Sequence, residues 1–96
     1  MLFHVRMDVN IPLDMPAEKA AEIKAVEKAY SQDLQRNGKW RHIWRVTGQY
    51  SNISIFDVES NEELKRMLQG VSLYIYMDVE VMALNRHPSS VRDDDS

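Results

Sequence analysis

Hydrophobic and polar positions strictly alternate at first and then recur every three or four residues, and these two periods divide the chain into six elements. Over residues 2–11, Phe3, Val5, Met7, Val9 and Ile11 take one side and His4, Arg6, Asp8 and Asn10 the other. A period of two marks a strand with one apolar face. Pro12 and Pro16 punctuate a loop; Pro16 suits the first turn of a helix and Glu18 its positive end. Residues 17–36 are rich in Ala, Glu, Lys and Gln, all good helix formers, and Asn37-Gly38 supplies a stop. Residues 40–47 and 52–58, heavy in Trp, Ile, Val and Phe, read as two strands, with residues 48–51 short enough for a hairpin. Ser60 followed three residues later by Glu63 has the form of a capping box, opening a second helix that runs to about residue 69 and is closed by Gly70. A last strand over residues 75–84 sets Met77, Val79 and Val81 against Asp78, Glu80 and Met82.

The order βαββαβ predicts an α+β fold of the ferredoxin-like kind, a four-stranded antiparallel sheet with both helices on one face. Its 96 residues make a single domain over 1–96, in which residues 85–96 form a polar tail ending in Arg92, Asp93, Asp94, Asp95 and Ser96 that cannot build a core. A domain this small buries a limited share of its surface, so association between subunits is expected from size alone.

Composition narrows the function classes. The net charge of -3, with Lys and Arg scattered among acids, lacks the basic stripe of a nucleic-acid binder. The chain holds no cysteine, which excludes disulfides, thiolate metal sites and cysteine nucleophiles. No apolar run approaches the ~20 residues that span a bilayer, and the opening residues lack the h-region of a signal peptide. A cytoplasmic protein without a membrane partner is the expectation. His4, His42 and His87 are too dispersed for a metal motif, so no metal site is expected, and three glycines leave no phosphate loop.

The long helix carries one acid in an unexpected direction. At ~100° per residue with Ile23 as reference, Ala20, Val26, Tyr30 and Leu34 fall within roughly 60° and define the stripe that faces the sheet. Glu27 falls at roughly 40°, inside that stripe. A carboxylate aimed at a core is costly unless paired, hydrated in a cavity or protonated. Burial raises its pKa, which suits a general base or acid; the alternative is a rim position paired with a strand arginine. On the first middle strand, Trp40, His42 and Trp44 take one face and Arg41, Ile43 and Arg45 the other, while Tyr50 and Asn52 flank the turn. Such side chains, lining a pocket, suit a flat anionic small molecule, guanidinium on carboxylate and indole against ring; the alternative is packing and surface ion pairs.

The opening MLFHVRMDV, the segment WRHIWRVTGQYSN with FDV after it, YMDVEV, and RHPSS near the end stand in an order and spacing that resemble the muconolactone isomerases over essentially the whole chain. The resemblance implies a cofactor-free enzyme that converts muconolactone, a small lactone, to 3-oxoadipate enol-lactone in catechol catabolism, assembled as a homodecamer. It implies that Glu27 is the base, with Tyr50 and Asn52 as candidate donors to the lactone oxygen. Arg41, or Lys28, is the expected partner of the substrate carboxylate, and Trp40 and Trp44 are expected to wall the pocket or a subunit contact. Chloromuconolactone dehalogenases and methylmuconolactone isomerases resemble the same family, and a non-catalytic ligand-binding module is a further alternative; the RHPSS string favours the ordinary isomerase.

Overall fold

In the computed structural model, which describes residues 1–93, the strands are β1 (Leu2–Val9), β2 (Trp40–Arg45), β3 (Ser51–Asp57) and β4 (Met77–Leu84), and the helices are α1 (Ala17–Arg36) and α2 (Asn61–Gln69). The acidic run expected at the end of the tail lies outside the described residues from position 94 onward. All three strand pairings are antiparallel and the sheet order is β2-β3-β1-β4, the ferredoxin-like arrangement expected from the element order.

Alternation along β1 is what builds the core. Phe3, Val5, Met7 and Val9 are buried against Trp40, Phe56, Leu64, Leu68, Val71 and Leu73, while Ile23, Tyr30 and Leu34 of α1 pack onto that cluster from the same side. The outer face keeps His4, Arg6 and Asp8. At the entry to α2 the Ser60 hydroxyl accepts the Glu63 N–H, as the capping box requires. The reciprocal half differs: the Glu63 carboxylate accepts from the Glu59 N–H and the Lys39 ammonium instead.

Besides strand ends that shift by one or two residues (β1 stops at Val9, β2 at Arg45, and β3 runs Ser51–Asp57), the structure departs from the sequence pattern in three places. The last strand begins at Met77, because Tyr74–Tyr76 form a 3-10 turn whose Tyr76 N–H donates to the Leu73 carbonyl. Val26 is 57% exposed rather than part of the buried stripe. The half-buried and buried positions of α1 are Ala20, Ile23, Glu27, Tyr30, Ser31, Gln32 and Leu34, so the stripe is centred toward Glu27 and away from Val26. The third departure lies in β2. Trp40 pairs with Phe56 and His42 with Ile55, leaving Arg41 as the extra residue of a bulge. One inserted residue exchanges the faces of everything after it. Trp40 therefore shares the helix-covered face with Ile43 and Arg45, while His42 and Trp44 turn to the outer face.

Two side-chain bonds fix α1 about its axis. The Ser72 hydroxyl donates to the Ile23 carbonyl at 2.8 Å, and the Tyr30 phenol donates to the Met67 carbonyl at 2.8 Å. They lie one turn on either side of Glu27. Gly70 is required beside the second, since a Cβ there would stand 2.6 Å from the Tyr30 oxygen. Tyr30→Phe is expected to lower stability by about 1 kcal/mol, read as a fall in thermal midpoint with the fold retained.

Candidate active site

The bulge, the rotation of α1 and the tight turn after β2 converge on one cavity of about 320 Å³ between α1 and the sheet. α1 contributes Glu27, Lys28 and Ser31, β2 contributes Ile43 and Arg45, and the turn and start of β3 contribute Tyr50, Ser51 and Asn52. Val9, Leu73 and Met77 complete an apolar wall. The turn closes through the Gln49 N–H on the Val46 carbonyl, with Gly48 at φ 78°, a left-handed conformation that glycine adopts without steric cost. Val9 N–H donates to the Tyr50 carbonyl at 2.9 Å and ties the end of β1 to this turn.

Glu27 is half-buried and has no hydrogen-bond or ion-pair partner among the described residues. Burial therefore pushes its carboxyl above the usual range, because water is lost and no cation replaces it. The Tyr50 phenol is also pushed up, first by burial and then by the neighbouring Glu27 charge, with Arg45 working the other way. Two cations lie over the Tyr50 ring, Lys24 Nζ at 5.6 Å and the Arg45 guanidinium at 5.7 Å. Both are within the range of a cation–π attraction. Ser54 donates to Asn52 Oδ1 at 2.7 Å, which occupies the amide oxygen and leaves the amide nitrogen to donate. The Ser31 hydroxyl is spent on the Lys28 carbonyl.

Four of the residues singled out in the sequence thus come together: Glu27, Tyr50, Asn52 and Lys28. Three lie elsewhere. Trp40 is fully buried in the core, its ring 4.8 Å from that of Phe56. Trp44 is 54% exposed on the outer face and stacks on His42. Arg41, in the bulge, stands 3.8 Å from Asp57 at the far end of β3. The cation that β2 delivers to the cavity is instead Arg45. Its placement follows from the bulge, which period-two counting alone does not reveal; its position beside the turn carrying Tyr50 was the available signal. Among the described residues, no group of three His, Cys, Asp or Glu side chains could hold a metal ion.

The family model described as muconolactone delta-isomerase matches residues 1–90. The chain belongs to that family. It is 77% identical over 96 residues to the muconolactone delta-isomerase of Acinetobacter baylyi, with all of both chains covered. It is 53% identical over 95 residues to that of Pseudomonas putida, covering 99% of each. A crystal structure of a muconolactone isomerase superposes with a TM-score of 0.94 at 53% identity, again over the whole of both chains.

The environment of Glu27 carries a consequence for stability in this family member. A carboxyl whose folded-state pKa is raised adds stability that is complete below its unfolded pKa and is lost as pH rises through the folded value. At neutral pH the ionised group is a liability to the fold. Glu27→Gln, uncharged and of similar shape, is therefore expected to raise the thermal midpoint at pH 7, with the gain shrinking as pH falls toward about 4. Thermal unfolding across that range measures it, and a Gln variant no more stable at pH 7 would contradict the reading.

Proposed function

We propose that this chain is a muconolactone delta-isomerase in which Glu27 carries one proton between two carbons of the lactone ring. The ring double bond of muconolactone is conjugated with the lactone carbonyl. Removal of the γ proton breaks that C–H bond and leaves a dienolate whose charge reaches the carbonyl oxygen. Return of the same proton to the α carbon, two bonds away, forms the new C–H bond and leaves the double bond shifted. No electrons are gained or lost overall, so the reaction needs a base and charge stabilisation and no redox partner.

Each requirement has a residue. Glu27 is the base, and its raised pKa brings it nearer the operating pH, where a general base that must also return its proton works best. The Asn52 amide nitrogen and the Tyr50 phenol donate to the developing oxyanion. Arg45, with Lys28 beside it, holds the carboxylate of the acetate arm, where a guanidinium fork matches a carboxylate better than an ammonium does. Val9, Ile43, Leu73 and Met77 form the apolar wall for the ring. The observation that carries this reading is a partnerless, half-buried carboxylate opening into a donor-lined cavity, in a chain that matches full-length isomerases. Those relatives favour plain isomerisation over the halogen-releasing and methyl-substituted variants.

The resemblance to the family also supports a homodecamer working without cofactor in the cytoplasm. Association has a surface to use, since Trp44 at 54% and Met82 at 61% exposure stand on the outer face of the sheet with Ile53 and Ile55 between them. No helix among the described residues is long and apolar enough to cross a membrane.

Purified protein, with no metal or nucleotide added, is expected to convert muconolactone, followed by its ultraviolet absorbance. Glu27→Gln is expected to lower kcat by about two to four orders of magnitude. Arg45→Met is expected to raise KM by about tenfold or more with a smaller effect on kcat, as loss of a charge-assisted contact predicts. Near-full activity in the Gln variant would remove Glu27 from the mechanism, and chloride release from the chlorinated lactone in place of isomerisation would reassign the reaction.

A further inference from the structure

One of the cavity donors, Tyr50, hangs on a turn that is itself held from the other side of the sheet. Tyr50, 40% exposed, follows the Gly48 turn, and loop segments of this kind open most readily. The two residues on either side of Tyr50 are tied by their side chains to the same pair on β1. The Ser51 hydroxyl donates to Asp8 Oδ1. Arg6 grips the same carboxylate with two donors, Nε to Oδ2 at 3.2 Å and Nη2 to Oδ1 at 3.1 Å, and its Nη2 also donates to Gln49 Oε1 at 3.0 Å. Ser51, Asp8, Arg6 and Gln49 form one unbroken chain of bonds that leaves the turn on one side of Tyr50 and returns to it on the other.

Neither Asp8 nor Arg6 lines the cavity. Both lie on the face of β1 opposite the core positions Met7 and Val9. We propose that Asp8, with Arg6, is a positioning residue for the isomerisation, holding the turn so that Tyr50 stays aimed at the substrate oxygen. This rests on the functional reading above. Backbone bonds fix where the strand runs, but the side-chain clamp fixes the turn against twisting, and displacements of about 1 Å at a reacting group are enough to cost large factors in rate. The clamp is charged and stays so: the bonds from Ser51 and then from Arg6 hold the Asp8 carboxyl below the usual range, and Asp8 in turn holds the Arg6 guanidinium up, with Glu80 adding to it. Glu80 is the cross-strand partner of Arg6, and Asp78 that of Asp8.

A double-mutant cycle on the full chain tests this, with Asp8→Ala and Tyr50→Phe alone and together and muconolactone as substrate. Asp8→Ala is expected to lower kcat about tenfold with KM nearly unchanged, and Asp8→Asn, which still accepts from Ser51, to recover much of that loss. In the Tyr50→Phe background the same Asp8→Ala change is expected to cost less than about twofold. Equal losses in both backgrounds would overturn the proposal, as would wild-type kcat in folded Asp8→Ala protein. A second readout needs no turnover: the Tyr50 phenol, followed by nuclear magnetic resonance of ring-labelled tyrosine, is expected to titrate above the ordinary range in the wild type, to fall back toward about 10 in Asp8→Ala and to stay largely raised in Asp8→Asn. An unchanged Tyr50 titration in Asp8→Ala would overturn the clamp even if the wild type failed to turn over this lactone, a failure that would count against the functional reading alone.

Discussion

A carboxylate without a partner, placed on the face of a helix that must cover a sheet, is the constraint around which the structure is arranged. Glu27 lies between Ile23 and Tyr30 on the stripe of α1 that packs on the core. A charged group in that position is tolerated only if space is left for it. The cavity supplies that space at one end of the sheet, while Phe3, Trp40 and Phe56 fill the other end with the largest buried side chains. The helix cannot turn to relieve the charge, because Ser72 and Tyr30 hold it by bonds one turn before and one turn after Glu27. A site held in this way trades stability for reactivity, as sites with perturbed ionisable groups commonly do.

β1 serves the site in three ways at once. Its inner face forms the middle of the core, its last residue, Val9, reaches the cavity wall and bonds the backbone of Tyr50, and its outer face carries the Arg6–Asp8 pair. The pattern of alternation seen in the first residues is thus the origin of core, wall and clamp together. A shift of one residue in its register would move all three to the wrong side.

Much of this was legible in the sequence, and the reasons are physical. The element order and the caps follow from local chemistry, so the fold emerged intact. The direction of Glu27 followed from helix geometry alone, while Val26 on the opposite shoulder of the stripe did not stay buried. A stripe read from apolar residues is drawn toward them, and the true centre lay nearer the acid. The pocket cation was less legible. Alternation along β2 is broken by the Arg41 bulge, a backbone event that residue types do not announce. Counting straight through it placed Trp40 with Trp44 and set Arg41, Ile43 and Arg45 on the opposite face, whereas the bulge leaves Arg41 beside Asp57 and brings Ile43 and Arg45 to the covered side with Trp40. The Ser51–Asp8–Arg6–Gln49 chain was out of reach for a different reason, since it joins residues more than 40 positions apart.

The central claim is that the half-buried carboxyl of Glu27 is the group that takes and returns the proton. The most direct test titrates Glu27 in selectively labelled protein by carbon nuclear magnetic resonance and compares it with the acid limb of kcat/KM for muconolactone. The account predicts one midpoint common to both, displaced above the ordinary carboxylate value of about 4.3. A Glu27 that titrates at the ordinary value, or an acid limb that belongs to another group, would contradict it.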